Sequence, residues 1–264
     1  MSNVIGCDIS FYQDDNATER MIDFAKMKSN AGYVIIRSGQ NLWADPDFKP
    51  NWQAAKGVLP RGSYWFYDSR VEPKRQADLW VSLFPSTGSG HGEGDLGELP
   101  LFCDFEDNYG GDFGRWTDWY SFIERLKQLV PGKEIGIYTG YYYWLEHTAH
   151  VGIPAASLEY FKQYPLWIAN YGVTKPLVPK PWTEWVFWQF TDKGDGSLYG
   201  VESRNIDLNY FNGDMNAFRT RFKLSPKPAA LPVEIDKTDK VLGGGRSRRW
   251  RDATRERWQA IRRR

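Results

Sequence analysis

An apolar run near the middle of the chain ends in two carboxylates that are separated by a single residue, Asp104 and Glu106. Residues two apart on a β-strand point to the same side, so we expect both side chains to face one compartment. Two acids held close together repel each other, and partial burial adds to this effect, so one of them tends to keep its proton near neutral pH. Such a pair suits cleavage of a glycosidic bond, which needs a proton on its leaving oxygen and negative charge beside the developing oxocarbenium ion. Metal sites and ordinary acidic loops are also built from carboxylates. Residues 104–106 alone therefore do not decide between a catalytic pair, a metal site and an acidic loop.

Two further acids lie in comparable apolar runs. Asp8 follows the run 4–7, and Asp207 lies inside the segment 205–209. The first and last strands of a closed barrel are neighbours, which would place Asp8 beside Asp207 and turn both toward the same mouth. The alternative is that these two acids cap loops or bind backbone amides.

Eight short apolar runs could provide the strands that position these acids. They alternate with amphipathic stretches for most of the chain, as strands and helices do in a parallel sheet or barrel. The predicted strands are 4–9, 33–38, 61–66, 100–105, 135–139, 165–169, 185–190 and 205–210. Reactive groups of such barrels gather at the C-terminal mouth of the strands.

Helices are predicted between several of the strands. Residues 73–83 form one candidate, with Pro73 near its first turn. Another is indicated by helical spacing in a stripe that should face the core, formed by Trp116, Trp119, Tyr120, Ile123 and Leu126. After the fifth strand the connections shorten and carry more Pro and Gly, so we expect the last three strands to lack full helices between them. The fold class is therefore an irregular α/β barrel.

Composition and charge separate the body of the chain from its end. A chain of 264 residues fits one barrel, and its 13 Trp, 15 Tyr and 15 Phe suit either a large core or a cleft that stacks on sugar rings. The first 222 residues carry 21 basic and 28 acidic side chains, net −7, whereas residues 223–264 carry 13 basic and 5 acidic ones, net +8. We therefore predict a barrel over 1–222, a linker over 223–245 and a basic, helical tail over 246–264, with a disordered solubilising tail as the alternative.

Cysteine usage and hydropathy exclude several classes of protein. Cys7 and Cys103 cannot form a disulfide framework, and no Cys/His metal cluster is visible. Each precedes an Asp in an apolar run, so both are predicted to be buried thiols on the outward, helix-covered face of a strand. The loop 86–97 is rich in Gly and Ser and is expected to be flexible. No stretch of about 18 apolar residues predicts a membrane span, and the first nine residues do not resemble a secretory signal.

Several segments, in their order and spacing along the chain, resemble glycoside hydrolase family 25, which includes phage and bacterial lysozymes of the muramidase type. The segments are Gly6-Cys7-Asp8-Ile9-Ser10 with Gln13, Tyr33-Val34-Ile35-Ile36-Arg37, Asp47-Phe48 with Asn51, Gly62-Ser63-Tyr64-Trp65-Phe66, Asp104-Phe105-Glu106, Ile137-Tyr138-Thr139-Gly140, Pro165-Leu166-Trp167-Ile168-Ala169 with Tyr171, Trp188-Gln189-Phe190-Thr191 and Ile206-Asp207-Leu208-Asn209. They span residues 3 to about 222. The resemblance implies an irregular TIM-like barrel of about eight strands and five helices, with a C-terminal extension.

The resemblance also implies an activity, namely hydrolysis of the β-1,4 bond between N-acetylmuramic acid and N-acetylglucosamine. By position, Glu106 corresponds to the general acid and base. Asp104 corresponds to the group that stabilises the intermediate, either by orienting the N-acetyl oxygen of the substrate or by acting directly on the sugar. Asp8 and Asp207 correspond to supporting acids that hold water and tune the pKa of Glu106.

Four further residues fall at cleft positions in this comparison, namely Tyr64, Tyr138, Trp167 and Gln189. Aromatic faces can stack on sugars, and Tyr and Gln can bind acetamido and hydroxyl groups. Core packing is the competing interpretation, above all for Trp167. Arg37 is a further candidate for substrate binding. It could pair with one of the strand-end acids, and a purely structural ion pair is the alternative.

Some positions depart from the family pattern. Asp14 stands where many members have Gly, and Trp65 where His is frequent, which affects the rim of the cleft more than the acids. Chitinase-like enzymes carry an Asp where this chain has Phe102, which argues against that family. The alternatives to an enzyme are an inactive glycan-binding barrel and a structural virion component anchored by its basic tail.

The expected reaction needs no metal or organic cofactor, because acids and water suffice. The expected partner is the glycan strand of peptidoglycan, and the tail suits an anionic wall polymer or a partner protein rather than a specific nucleic acid. Without a visible signal peptide, the protein is expected in the host cytoplasm until it is released to the cell wall, or in a virion.

Overall fold

The β-sheet of this protein closes on itself. The computed structural model describes residues 2–14, 18, 20–86 and 94–225, and residues up to Ser225 belong to one compact unit. Within the described residues, eight strands pair in the order β1-β9-β8-β7-β6-β5-β4-β2, and pairing of β1 with β2 completes the barrel. The strands are β1 (Val4–Ile9), β2 (Val34–Gln40), β3 (Trp43–Ala44), β4 (Arg61–Phe66), β5 (Leu101–Phe105), β6 (Ile135–Gly140), β7 (Leu166–Ala169), β8 (Phe187–Asp195) and β9 (Asn205–Phe211).

The eight barrel strands are those predicted from the apolar runs. Their ends agree within two residues, except that β8 continues to Asp195 instead of ending at residue 190. The extension pairs with β9 through two register shifts and is partly exposed, so it lacks the apolar signal of a core strand. The two-residue strand β3 pairs with the end of β2 outside the barrel, and it was missed because two residues show no alternation.

Side chains alternate between two apolar layers. On β5, Leu101, Cys103 and Phe105 join the layer that contains the apolar side chains of the helices, whereas Phe102 belongs to a second cluster inside the barrel. Cys7 lies in the outer layer as well, and both cysteines are free and buried, as predicted. Because alternate residues of a strand point to opposite faces, Asp104 must point inward, with Phe102.

Eight α-helices surround the barrel in the described residues, more than the five expected. They are α1 (Phe24–Asn30), α2 (Phe48–Ala55), α3 (Pro73–Ser82), α4 (Trp116–Leu129), α5 (Tyr141–His147), α6 (Ala155–Glu159), α7 (Gly196–Tyr199) and α8 (Met215–Arg221). Several are a single turn or two, and these account for the difference. None of the described helices is both long and apolar enough to span a membrane.

Helix α4 buries most of its predicted stripe. Trp119, Ile123 and Leu126 are buried, but Tyr120 is 41% exposed and Phe122 fills the core instead. Tyr120 follows Trp119 by one residue and so lies about 100° further around the helix, at the edge of the buried face. Its ring contacts Tyr160, with centroids 4.6 Å apart.

The last barrel strand runs against its neighbours. As predicted, the final connections are short: residues 170–186 contain no helix, and β8 is joined to β9 through the four-residue α7. A parallel pair needs a crossover of roughly a dozen residues or more, so a connection this short forces β9 to be antiparallel to β8 and to β1. The alternating pattern that predicted a parallel barrel fails at this strand.

An ion-pair network closes the opposite end of the barrel. Arg61 is buried at the start of β4, and its guanidinium donates to Asp95 at 2.7 Å and to Glu98 at 3.0 Å. The end of the Gly- and Ser-rich loop is therefore held against the barrel. Residues 87–93 of that loop, and the predicted linker and tail beyond residue 225, lie outside the described residues.

Candidate active site

The four predicted acids meet at one end of the barrel. Asp8 lies near the end of β1, Asp104 lies near the end of β5, and Glu106 directly follows β5. Asp207 lies near the beginning of β9, and it reaches the same mouth because β9 is antiparallel. The mouth therefore holds four carboxyl groups in a setting that also contains buried apolar rings.

Asp104, on β5, is more deeply buried than Glu106, which follows the strand. It is 2% exposed, and its Oδ1 has no hydrogen-bond partner within the described part of the chain. Burial raises the pKa of Asp104 well above its ordinary value, the charges of Glu106 and Asp8 raise it further, and Arg37 opposes the shift. A buried acceptor without a donor is costly to leave empty, so this oxygen is suited to a donor from a bound molecule.

Glu106 is set up to hold a proton near neutral pH. Burial is the largest cause and raises the pKa of its carboxyl to about 7, while a hydrogen bond from Tyr138 lowers it and the charge of Asp8 raises it. A carboxylic acid with this pKa is partly protonated at pH 7 and is close to the optimum for general acid catalysis.

Asp8 and Asp207 form a hydrogen-bonded carboxyl pair. They are directly opposite residues of the antiparallel strands β1 and β9. Burial raises the pKa of Asp8 to about 6 against the hydrogen bonds that lower it, including one from Asp207. Burial and the charge of Asp8 raise the pKa of Asp207 to about 8. The pair therefore retains a proton near neutral pH.

Two side-chain amides hold the carboxylate of Asp8. Its Oδ2 accepts from Gln189 Nε2 at 2.9 Å and from Asn209 Nδ2 at 2.8 Å. The Asn209 amide is itself oriented, because its Oδ1 accepts from Trp167 Nε1 at 2.7 Å. Asn209 is not among the site residues predicted from the sequence, although its place two residues after Asp207 on the same strand puts it on the same face.

The Gln189 amide connects Asp8 to the general acid candidate. Gln189 Oε1 accepts from the Tyr138 hydroxyl at 2.8 Å and from the Tyr171 hydroxyl at 2.5 Å. The Tyr138 hydroxyl has one proton and two acceptors within reach, Gln189 and Glu106. When it turns to Glu106, Tyr171 still satisfies Gln189. Tyr171, like Asn209, was part of the motifs but not of the predicted site.

Two of the predicted aromatic residues, Trp167 and Tyr64, differ in how deeply they are buried. Trp167 is 1% exposed, and its ring packs against Phe102 at 5.2 Å and Tyr138 at 4.5 Å between centroids. This burial favours the core-packing alternative for Trp167, with its indole N–H orienting Asn209. Tyr64 is half-buried, and its ring stands perpendicular to that of Trp167 at 6.0 Å.

Arg37 forms a structural ion pair, and it is not paired with one of the strand-end acids. Its Nε donates to Asp45 Oδ2 at 2.9 Å, and Asp45 is not one of the four strand-end acids. The guanidinium also lies against the rings of Phe11 and Trp43, at 4.8 and 5.5 Å from their centroids. Its Nη2 is buried without a partner in the described residues, so the two N–H donors of this nitrogen remain available at the mouth.

Exposed aromatic side chains surround the mouth. Five of them follow the end of a barrel strand by two to four residues, namely Tyr12, Trp43, Tyr109, Tyr142 and Tyr171. Their position after strand ends is a signal that sequence reasoning could have used. Within the described ranges, no group of three His, Cys, Asp or Glu side chains is arranged to hold a metal ion.

Comparison with known proteins gives a consistent family. The model of the glycosyl hydrolases family 25 matches residues 7–198. YegX of Escherichia coli K12 is 28% identical over 237 residues, 84% of this chain and 75% of that protein. Lysozyme M1 of Streptomyces globisporus is 29% identical over 224 residues, 80% of this chain and 69% of that protein. The crystal structure of the bacterial lysozyme from Streptomyces coelicolor superposes with a TM-score of 0.67 at 26% identity, over 85% of this chain and all of that one.

Proposed function

The chain belongs to family 25 of the glycosyl hydrolases and is a peptidoglycan hydrolase, and from this premise we propose that it is an N-acetylmuramidase that cleaves the β-1,4 bond between N-acetylmuramic acid and N-acetylglucosamine. The observation that carries the proposal is the convergence of four acids at one mouth, with the pKa of Glu106 raised to about 7.

Glu106 is the proposed general acid. In its protonated form it donates to the glycosidic oxygen as the bond to C1 of the muramic acid breaks, and the departing sugar leaves as an alcohol. The resulting carboxylate then takes a proton from the water that attacks C1. Its pKa of about 7 suits both roles, because the protonated and the ionised form are both well populated at neutral pH.

Asp104 is the proposed stabiliser of the charged intermediate. Its unpartnered Oδ1 can accept the N–H of the substrate acetamido group while the acetamido oxygen bonds to C1, or it can act on the sugar directly. Both routes retain the configuration at C1, because water replaces a group that itself displaced the leaving sugar. The buried Nη2 of Arg37 supplies a donor at the same mouth for a substrate oxygen.

Asp8 and Asp207 are proposed as supporting acids. The amides of Gln189 and Asn209 fix the charged Asp8, and its field raises the pKa of Glu106. A proton retained by the pair limits the total negative charge at the mouth, which would otherwise repel the wall polymer. The pair also offers an acceptor and a donor to the hydrolytic water.

Analysis of the new reducing ends tests the bond that is cut. Purified walls are digested, the new ends are reduced with borohydride, and the amino-sugar alcohols are identified after acid hydrolysis. We expect muramitol, and glucosaminitol would contradict the proposal. Glu106→Gln should lower the rate about a thousandfold. Glu146→Gln, an exposed carboxylate on α5, is the matched control and should leave the rate unchanged.

The same assay separates the enzyme from a glycan-binding barrel. A binding protein would sediment with walls without releasing reducing ends, and Glu106→Gln would behave like the unsubstituted protein. We expect the opposite, with binding retained in Glu106→Gln and release of ends lost.

A further inference from the structure

An arginine at the mouth has one edge of its guanidinium unused. Arg70 lies in the loop after β4 and donates from Nε to Asp68 Oδ1 at 2.9 Å and from Nη2 to Asp68 Oδ2 at 2.6 Å. The Asp68 carboxylate is fully buried and is held in place by Asn41 Nδ2, which donates to Oδ2 at 2.9 Å. Asp68 therefore fixes one edge of the guanidinium and the plane in which it lies.

The guanidinium is also fixed by stacking. Its carbon lies 3.8 Å from the ring centroid of Tyr109, which is in the loop after β5. The Arg70 side chain is nevertheless 50% exposed. A guanidinium carries five N–H donors, and Asp68 takes two of them. The other three have no acceptor in the part of the chain that the structure describes, so the edge formed by Nη1 and Nη2 faces solvent.

The loop that carries Arg70 is anchored to the residue that follows the proposed general acid. Asp107 directly follows Glu106, and its carboxylate accepts from the backbone N–H of Ser69 at 2.5 Å and from that of Tyr109 at 2.5 Å. One side chain therefore anchors both the loop that carries Arg70 and the loop that carries the stacking ring. The loop that carries Arg70 is thus tied to the segment that contains Glu106.

The charge around the mouth gives this arginine a role in binding. The mouth holds the four acids of the site and Asp107, some of which keep a proton near neutral pH, and the other arginine there, Arg37, is buried and paired with Asp45. The peptide stems on the muramic acid residues carry carboxylates, which the charged acids of the mouth repel and an exposed guanidinium attracts. A guanidinium edge that is planar and held in place matches a carboxylate with two parallel hydrogen bonds.

We propose that the free edge of Arg70 binds a carboxylate of the peptide stem of peptidoglycan and so makes the enzyme prefer glycan strands that carry charged stems. This inference rests on the proposed function, because it names a further group of the same substrate. Asp68 and Tyr109 are positioning residues in this site, since they hold the guanidinium without reaching the stem.

The test compares two forms of one soluble substrate. Glycan strands with uncross-linked stems are used as isolated, and again after carbodiimide-mediated amidation of their carboxyl groups, which removes the charge and leaves the glycan intact. For the unsubstituted protein, we expect KM to be about three- to tenfold lower on the charged strands, with the difference shrinking at high salt. Arg70→Gln should remove that difference by raising KM on the charged strands.

Three further variants separate a loss of stem binding from misfolding and from a general loss of charge. Arg70→Gln leaves Asp68 buried without its cation, so the double variant Asp68→Asn/Arg70→Gln is measured with it, and the unfolding midpoint of each is recorded. Arg70→Lys keeps the charge but loses the paired edge and should recover only part of the preference. Arg221→Gln, which removes an arginine paired with Glu134 at the opposite end of the barrel, is the matched control and should behave like the unsubstituted protein.

The outcomes separate this inference from the proposed function. Equal KM values on charged and amidated strands for the unsubstituted protein, or an unchanged preference in both Arg70→Gln variants, would overturn the role of Arg70 while cleavage persists. Absence of cleavage on both substrates would instead overturn the proposed function.

Discussion

Asp8 and Asp207 lie opposite each other on antiparallel strands and are joined by a hydrogen bond between their carboxyl groups. Ionising both would place two charges side by side in a buried setting, so the pair keeps one proton well above the pH at which an isolated Asp loses it. The pair is a source of instability that a catalytic site tolerates.

Asp207→Asn is expected to stabilise the fold at neutral pH. The pKa of Asp207 is about 8 in the folded chain and near its ordinary value when unfolded, so the folded state binds more protons between these limits. The free energy of unfolding therefore falls as pH rises from about 4 to 8. An Asn amide can still donate to Asp8, and we expect a gain of about 1 to 3 kcal/mol at pH 8 that disappears below about pH 4. Urea unfolding across this range measures it, and a gain that persists at pH 3.5 would contradict the assignment.

The pH profile of kcat/KM should lose activity on its alkaline side through Glu106. The protonated acid is the active form, and its pKa is about 7, so activity should fall about tenfold per pH unit above that value. Tyr138→Phe removes a hydrogen bond that favours the ionised form, which raises this pKa and moves the alkaline limb to higher pH. An alkaline limb at unchanged pH in Tyr138→Phe would show that another group controls it.

Trp167→Phe tests whether the buried indole acts by orienting Asn209. The substitution keeps an aromatic ring in the core but removes the N–H that Asn209 Oδ1 accepts at 2.7 Å. Asn209 can then turn its oxygen toward Asp8, and we expect kcat to fall about tenfold with a loss of about 1 kcal/mol in stability. Loss of substrate affinity alone, with kcat unchanged, would instead indicate stacking on sugar. Steady-state kinetics on soluble strands separate the two.

Arg61→Met should affect stability without affecting the chemistry. Arg61 is buried at the end of the barrel away from the acids, where it joins β4 to Asp95 and Glu98. Its removal leaves two carboxylates without their main cation, and we expect the free energy of unfolding to fall by about 2 to 4 kcal/mol. The value of kcat/KM at 25 °C should stay within about twofold, because functional sites of such barrels lie at the opposite mouth. A large loss of kcat/KM in the folded variant would contradict this separation.

Activity should persist in chelator. The proposed steps use a protonated glutamate, carboxylates and water, so removal of divalent cations is not expected to slow the release of reducing ends. The measurement is the initial rate on purified walls before and after dialysis against EDTA, with a magnesium-dependent nuclease as a positive control for chelation. A rate restored by one added divalent ion would contradict the expectation.

Local regularities of the sequence were sufficient for much of the fold. The alternation in 101–106 places Asp104 and Glu106 on the same side of β5, because the geometry of a strand is fixed within a few residues. The apolar runs likewise identify all eight barrel strands. By contrast, Tyr120 was assigned to the core because a helical stripe has no sharp edge in sequence, and packing against neighbouring elements decides where burial ends.

The sequence by itself determined which acids the protein has and which face of each strand carries them. The tertiary structure decided that β9 is antiparallel to β1, which brings Asp207, near the beginning of β9, to its predicted place beside Asp8. It also decided that Trp167 is buried and donates its indole N–H to Asn209. It also raised the pKa values of Asp8, Glu106 and Asp207 above their ordinary range, because burial and mutual charge act only in the folded chain. Those energies depend on distances between residues up to two hundred positions apart, which exist only once the barrel has closed.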